Sequence, residues 1–93
     1  MIDIKEFINE VIPKLEGYTF KYSTFSEGDF GSLERVEFEG NGKVGAIDFW
    51  SSGWLGLDVY DMRLNDQILN QLMEPNEEQY AAIDELVHKL KVS

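Results

Sequence analysis

Residues 43–60 constrain the fold of this 93-residue chain most strongly, because they have the pattern of two strands joined by the loop Ser51-Ser52-Gly53. A three-residue hairpin loop commonly closes on a glycine in the left-handed conformation. Pairing the strands across this loop predicts three cross-strand pairs: Trp50 with Trp54, Phe49 with Leu55, and Ile47 with Leu57. The stretch is therefore expected to form a tight antiparallel hairpin.

Side chains alternate between the two faces of a strand, so this hairpin has an apolar face and a mixed face. The apolar face carries Ile47, Phe49, Leu55, Leu57 and Val59. The mixed face carries Asp48, Trp50, Trp54, Asp58 and Tyr60. The apolar face is expected to join a core. Aromatic rings beside carboxylates are typical of a binding surface, so the mixed face is the first candidate site.

A second hairpin is predicted at Asn41-Gly42, since Asn-Gly is the strongest short hairpin signal. A two-residue loop there pairs a strand at 32–40 with the strand that follows it. The expected pairs are Phe38 with Gly45, Val36 with Ile47, and Arg35 with Asp48. The two turns set their registers independently and still place the apolar residues on one face, which supports the sheet. The register also predicts an exposed Arg35–Asp48 ion pair, worth about 0–1 kcal/mol.

Amphipathic helices are predicted at both ends of the chain. Apolar residues recur at helical spacing over 3–16, where Asp3 opens a capping box and Pro13 forces a kink or a restart. The last helix is expected to start after Asn76 as its N-cap, with Gln79 at the third position. Its predicted buried stripe consists of Tyr80, Ile83, Leu86, Val87 and Leu90.

The middle of the chain completes the predicted sheet. Residues 18–25 alternate like a strand, and a loop is expected at 26–31. Residues 63–73 are ambiguous: their apolar spacing suits a short helix near 65–73, and an irregular connection is the alternative. The expected fold over 1–93 is a single α+β domain, a four-stranded antiparallel meander with both helices on one face, in the order α-β-β-β-β-α. The uncovered face then presents Arg35 and the predicted partner-binding residues Glu37, Glu39, Asp48, Trp50, Trp54, Asp58 and Tyr60.

The charge of the chain selects among classes of partner. Asp and Glu number 18 against 8 Lys and Arg, for a net charge of −10. Nucleic acids and anionic membranes are bound through cations, so neither is an expected partner. A basic protein is favoured, although an acidic balance also serves solubility. The chain has no cysteine, no apolar run of the ~20 residues that cross a bilayer, and no basic-then-apolar start, so a cytoplasmic location is expected.

Catalytic and metal-binding patterns are weak in this sequence. His88 is the only histidine and falls in the last turn of a predicted helix, where a surface role is the usual one. Asp58 and Asp61 project from opposite faces of one strand, so they do not form a calcium site. Glu37 and Asp58 flank Ala46 as a glycosidase pair would, but a small flat sheet offers no deep pocket. We therefore expect no enzyme activity, no cofactor and no metal.

The pair Trp50 and Trp54 has several interpretations, two structural and two functional. Trp50 and Trp54 form a cross-strand aromatic pair that stabilises the hairpin by roughly 0.2–1 kcal/mol. Residues 63–73 are also long enough to fold back and cover them. The functional alternatives are an anchor for a protein partner, or a patch that buries itself in a homodimer.

The corner Trp50-Ser51-Ser52-Gly53 resembles that of small immunity proteins from bacterial polymorphic and contact-dependent toxin systems. One group of these has a strand ending in Trp, a Ser/Glu-Ser-Gly turn and a second strand ending in an acid. The similarity in pattern covers roughly residues 33–90, and Trp54 and Gly56 replace more polar residues of that group. The resemblance implies a cytoplasmic, non-catalytic protein that binds and blocks a cognate toxin domain, often a basic nuclease. The alternatives are a dimeric secretion-chaperone-like or adaptor protein, and a small enzyme or sugar-binding module.

Overall fold

The computed structural model describes residues 1–26 and 31–91, which form a five-stranded antiparallel sheet and two helical segments. The strands pair in chain order and are β1 (Thr19–Phe25), β2 (Leu33–Gly40), β3 (Lys43–Trp50), β4 (Leu55–Asp61) and β5 (Asp66–Met73). Helix α1 (Ile4–Glu6) continues as a π turn (Phe7–Val11) and a 3-10 turn (Ile12–Lys14), and helix α2 (Gln79–Leu90) follows β5. The fold is α+β as predicted, with five strands instead of four. The loop predicted at 26–31 lies mostly outside the described residues.

Both predicted hairpin registers are confirmed. Asn41 and Gly42 have φ angles of 51° and 77°, as a two-residue hairpin loop requires, and Arg35 pairs with Asp48 across it. At the other hairpin, Gly53 has a φ of 96° and the Trp50 amide donates to the Trp54 carbonyl at 3.1 Å. The remaining predicted pairs are all observed: Phe38 with Gly45, Val36 with Ile47, Phe49 with Leu55, and Ile47 with Leu57.

The prediction for 63–73 is wrong, because this segment forms the fifth strand and extends the sheet instead of covering it. The turn before it is closed by the buried Asp61 carboxylate, which accepts from the amides of Arg63 and Leu64 at 2.9 and 3.2 Å. A bulge between Val59 and Tyr60 then shifts the register. Since a bulge interrupts the two-residue alternation, the strand lacks the periodic signal by which it would be recognised.

The terminal helices differ from the prediction in detail. The Asp3 carboxylate accepts from the Glu6 amide at 2.8 Å, so the predicted cap is confirmed, and Pro13 lies in the 3-10 turn that ends the segment. Helix α2 follows Glu78, so Asn76 is not its N-cap. Tyr80 is 43% exposed and does not belong to the buried stripe. The buried residues of α2 are Gln79, Ala82, Ile83, Leu86 and Leu90.

The hydrophobic core lies between the helices and one face of the sheet. Phe7 contacts Phe49 edge to face, with ring centroids 5.5 Å apart, which joins the first helical segment to the middle strand. Alternate residues in the middle of the three central strands are buried: Val36, Phe38, Ile47, Phe49, Leu55, Leu57 and Val59. They pack with Val11, Leu15, Ile83, Leu86 and Leu90 from the helical side. In the part of the chain that the structure describes, the helices thus cover one face, and most of the predicted site residues lie on the other.

Candidate functional site

The face of the sheet that points away from the helices is called the open face here. Its side chains follow from the strand registers, because residues paired across strands point the same way. Strand by strand, they are Thr19, Lys21, Ser23 and Phe25; Leu33, Arg35, Glu37 and Glu39; Val44, Ala46, Asp48 and Trp50; Gly56, Asp58 and Tyr60; and Asn70 and Leu72. Charged, aromatic and small residues therefore alternate across a single surface.

A shallow depression of about 880 Å³ lies at the centre of the open face. Ala46 and Gly56 are among its lining residues, and because they are small they leave the floor of the sheet uncovered. The indole of Trp50 lies across Gly56, since ring atoms come within 3.1–3.2 Å of the position that a Cβ would take there. A side chain at position 56 would crowd the indole and fill part of the depression.

The structure brings most of the predicted site residues together. Glu37, Glu39, Asp48, Trp50 and Asp58 all line the depression. Tyr60 lies on the same face, one row away, and its hydroxyl donates to the Asn65 side chain. Trp54 lines a separate crevice of about 280 Å³ at the end of the sheet, together with Trp50 and residues 1–4. The predicted set is therefore a central group of five with Tyr60 and Trp54 at its margins.

The predicted ion pair between Arg35 and Asp48 is present. The guanidinium donates to both carboxylate oxygens of Asp48, at 2.7 and 3.1 Å. These hydrogen bonds raise the pKa of the Arg35 guanidinium above its ordinary value. Arg35 also lies over the Phe25 ring, 5.3 Å from its centroid. The charge of Asp48 is therefore offset within the face, and a ligand would meet other carboxylates first.

Glu37, Glu39 and Asp58 are exposed acids that line the depression, and Glu37 and Asp58 lie on opposite sides of its floor. Glu37 on β2 and Asp58 on β4 both pair with Ala46 on β3, which lies between them. Their backbones are therefore separated by two strand spacings, each of about 4.8 Å. The Asp58 carboxylate accepts a hydrogen bond from the side-chain amide of Gln67 at 2.5 Å. Lys21 is the cross-strand neighbour of Glu37 on the other side. This geometry places one negative charge on each side of a small floor. A cationic side chain at the floor would be attracted by both carboxylates.

Gln79, predicted as part of a helix cap, fixes the turn Trp50-Ser51-Ser52-Gly53, which is called the tryptophan corner here. Gln79 is only 1% exposed. Its amide donates to the carbonyls of Gly53 and Glu74 at 2.9 and 3.1 Å, and its oxygen accepts from the Ile2 amide at 3.2 Å. The burial of Gln79 has a signal in the sequence: Gln79 lies four residues before Ile83 and therefore on the same, buried face of the helix.

The depression is also lined by residues outside the predicted site, among them Lys21 and Leu72. Lys21 belongs to the strand predicted at 18–25, and Leu72 lies in the segment 63–73, for which no strand is predicted. Leu72 is 51% exposed and brings an apolar side chain to the open face from β5. Its contribution becomes visible only once this segment is known to be a strand.

Comparison with models of protein families, with curated proteins and with solved structures gives no significant match to this chain. Within residues 1–26 and 31–91, no group of three or more His, Cys, Asp or Glu side chains is placed to hold a metal ion. Among the same residues, no helix has the length and apolar character needed to cross a membrane.

Proposed function

We propose that this chain is a non-catalytic, acidic protein-binding module that binds and neutralises a cognate toxin domain through its open face. The observation that carries the proposal is the central depression, in which Trp50 lies beside a small floor between the carboxylates of Glu37 and Asp58. Protein interfaces concentrate their binding energy in such aromatic anchors within a polar rim. The neutralising role follows from the resemblance of the tryptophan corner to small immunity proteins.

Charge supports a basic partner for the open face. The chain carries −10 overall. Among the residues that the structure describes on the open face, Arg35 offsets Asp48, and the exposed acids Glu37, Glu39 and Asp58 outnumber the remaining cation Lys21. Complementary fields of this kind raise association rates and fix orientation more than they add affinity. A nuclease exposes basic groups to hold phosphates, so an acidic surface placed against them would exclude the nucleic acid.

The frame beneath the open face favours binding with little rearrangement. The tryptophan corner is fixed by the hydrogen bonds of Gln79 and by the close packing of Gly53 against Pro75, and the floor belongs to central strands. A surface that is ordered before binding loses less conformational entropy on association. We place this activity in the cytoplasm, in line with a chain that contains no cysteine.

The test is affinity capture from cells of the source organism, with bound proteins identified by mass spectrometry at low and high salt. The native chain should retain one basic protein at near one-to-one stoichiometry, and high salt should weaken the capture. Glu37→Lys, on the open face, should reduce affinity for the captured protein by about tenfold or more. Asp84→Lys makes the same charge change on exposed α2 and should reduce it much less.

Neutralisation is tested by producing the captured protein in a host with and without the chain. Growth arrest that the native chain relieves and Glu37→Lys does not would support the immunity role. Equal losses for Glu37→Lys and Asp84→Lys would show that only net charge matters, which contradicts the open face as the site. A captured protein that is not toxic, or an unfolded segment of a secreted protein, would replace neutralisation with an adaptor or chaperone role.

A further inference from the structure

The outer edge of β1 has a defined set of main-chain groups directed away from the sheet. Gly40 and Lys43 flank the two-residue hairpin loop and form a hydrogen-bonded pair, so even-numbered residues of β2 bond to β3. The Ser51 amide donates to the Ser32 carbonyl at 2.8 Å, which agrees with this phase. Odd-numbered residues of β2 therefore bond to odd-numbered residues of β1. The even-numbered residues Phe20, Tyr22 and Thr24 point their amides and carbonyls outward.

This edge has few of the features that keep sheet edges from pairing. β1 keeps an unbroken register with β2 over seven residue pairs, and none of its residues is acidic or proline. Tyr22 is 52% exposed and Phe25 is 43% exposed. Exposed, regular and apolar edges of this kind are templates for another strand. Lys21, whose charge would oppose pairing, has Glu37 of its own chain as cross-strand neighbour.

The opposite edge of the sheet is protected. The bulge between Val59 and Tyr60 interrupts pairing at β5, and Asp66 places a charge at the start of that strand. The Gln71 side chain donates to Glu85 of α2 at 2.9 Å, so the helix also lies close to this edge. Bulges, edge charges and a covering helix are the usual devices against edge pairing. Of the two edges of the sheet, β1 is therefore the less protected one.

We propose that two copies of this chain pair through their β1 edges, antiparallel and centred on Tyr22, to form one continuous sheet. Tyr22 then faces Tyr22 of the second copy, and Phe20 faces Thr24 at either side. Each of these pairs exchanges two main-chain hydrogen bonds, about six in all. A two-fold axis perpendicular to the sheet leaves both open faces on the same side, so the dimer presents two depressions to its surroundings.

A second copy is the occupant that the edge itself favours. Phe20, Tyr22 and Thr24, whose main-chain groups point outward, are self-complementary in an antiparallel register: Tyr22 meets its own copy at the centre, and each Phe20 lies opposite a Thr24. Two chains of charge −10 repel each other, and β1 is a strand without a carboxylate, so repulsion is least where the two β1 strands meet. Lys21 falls opposite Ser23 of the second copy, which avoids a direct pair of like charges. The dimer does not depend on the function proposed for the open face.

The experiment measures the mass of the full chain by sedimentation over a range of concentrations. The native chain should approach twice its 10.7 kDa mass as concentration rises. Tyr22→Pro removes an amide that points outward, so it spares the bonds to β2 while it blocks the edge. This change should raise the dimer dissociation constant by at least about tenfold. Asn70→Pro at the β5 edge also removes an outward amide and should leave the dimer intact.

A cysteine variant tests the register without altering the backbone. Residues paired in this way have Cα atoms about 5.5 Å apart, within the range that a disulfide spans. Because the native chain has no cysteine, Tyr22→Cys treated with oxidised glutathione should yield a covalent dimer. Thr24→Cys should not, since Thr24 faces Phe20. A chain that stays monomeric at all concentrations, or a dimer unaffected by Tyr22→Pro and not cross-linked by Tyr22→Cys, would overturn the proposal.

Discussion

The two faces of the sheet have been shaped by different requirements. The covered face is apolar at its centre, where seven side chains of the three central strands are buried against the helices: Val36, Phe38, Ile47, Phe49, Leu55, Leu57 and Val59. The open face alternates acids, cations, aromatic rings and small residues, most of them partly or fully exposed. Burial constrains the first set tightly, since packed interiors do not tolerate changes of volume. The second set is less constrained by packing, because these side chains remain in contact with water.

Neighbouring residues of β4 offer the sharpest test of this contrast. Leu57 is buried on the covered face, and Leu57→Ala should lower the free energy of unfolding by about 2–5 kcal/mol through lost burial and a residual cavity. Asp58 is exposed on the open face, and Asp58→Ala should change it by no more than about 0.5 kcal/mol. Urea denaturation measures both. Comparable losses in the two variants would mean that the open face also supports the fold.

Replacing the buried side-chain amide of Gln79 should have the next largest effect on the free energy of unfolding. Gln79→Leu leaves the Ile2 amide and the Gly53 and Glu74 carbonyls without this partner, so we expect a loss of about 2 kcal/mol. Gln71→Leu removes one exposed hydrogen bond, to Glu85, and should cost less than about 0.5 kcal/mol. Thermal unfolding followed by circular dichroism gives both values. Equal stability of the two variants would show that Gln79 does not hold the tryptophan corner.

The ion pair on the open face should have the smallest effect. A double-mutant cycle with Arg35→Met and Asp48→Asn isolates the coupling between the two side chains, and Met retains an apolar stem. We expect a coupling of at most about 1 kcal/mol, because both groups are in contact with solvent, and a decrease at high salt. A coupling well above that value, insensitive to salt, would make the pair a structural element of the sheet.

The parts of the fold that could be predicted are those with a strong local signal. The Asn41-Gly42 and Ser51–Gly53 turns fix their registers through backbone conformations that few residues adopt, so both hairpins and the Arg35–Asp48 pair followed from short stretches. Five of the seven predicted site residues line one depression for the same reason, because their side is set by alternation within these hairpins. The strand in segment 63–73 was not predicted, because it contains a bulge, and a bulge destroys the two-residue alternation by which strands are recognised.

The sequence by itself determined the local turns, the alternation of the central strands and the acidic balance, since each depends on a few neighbouring residues or on composition alone. The tertiary structure decided the fifth strand, the burial of Gln79 and the depression over Ala46 and Gly56. β5 forms because β4 offers hydrogen-bonding partners that outweigh its own weak helical pattern. Gln79 is buried because three backbone groups, distant in the chain, meet at its amide. Such partners exist only after folding brings them together.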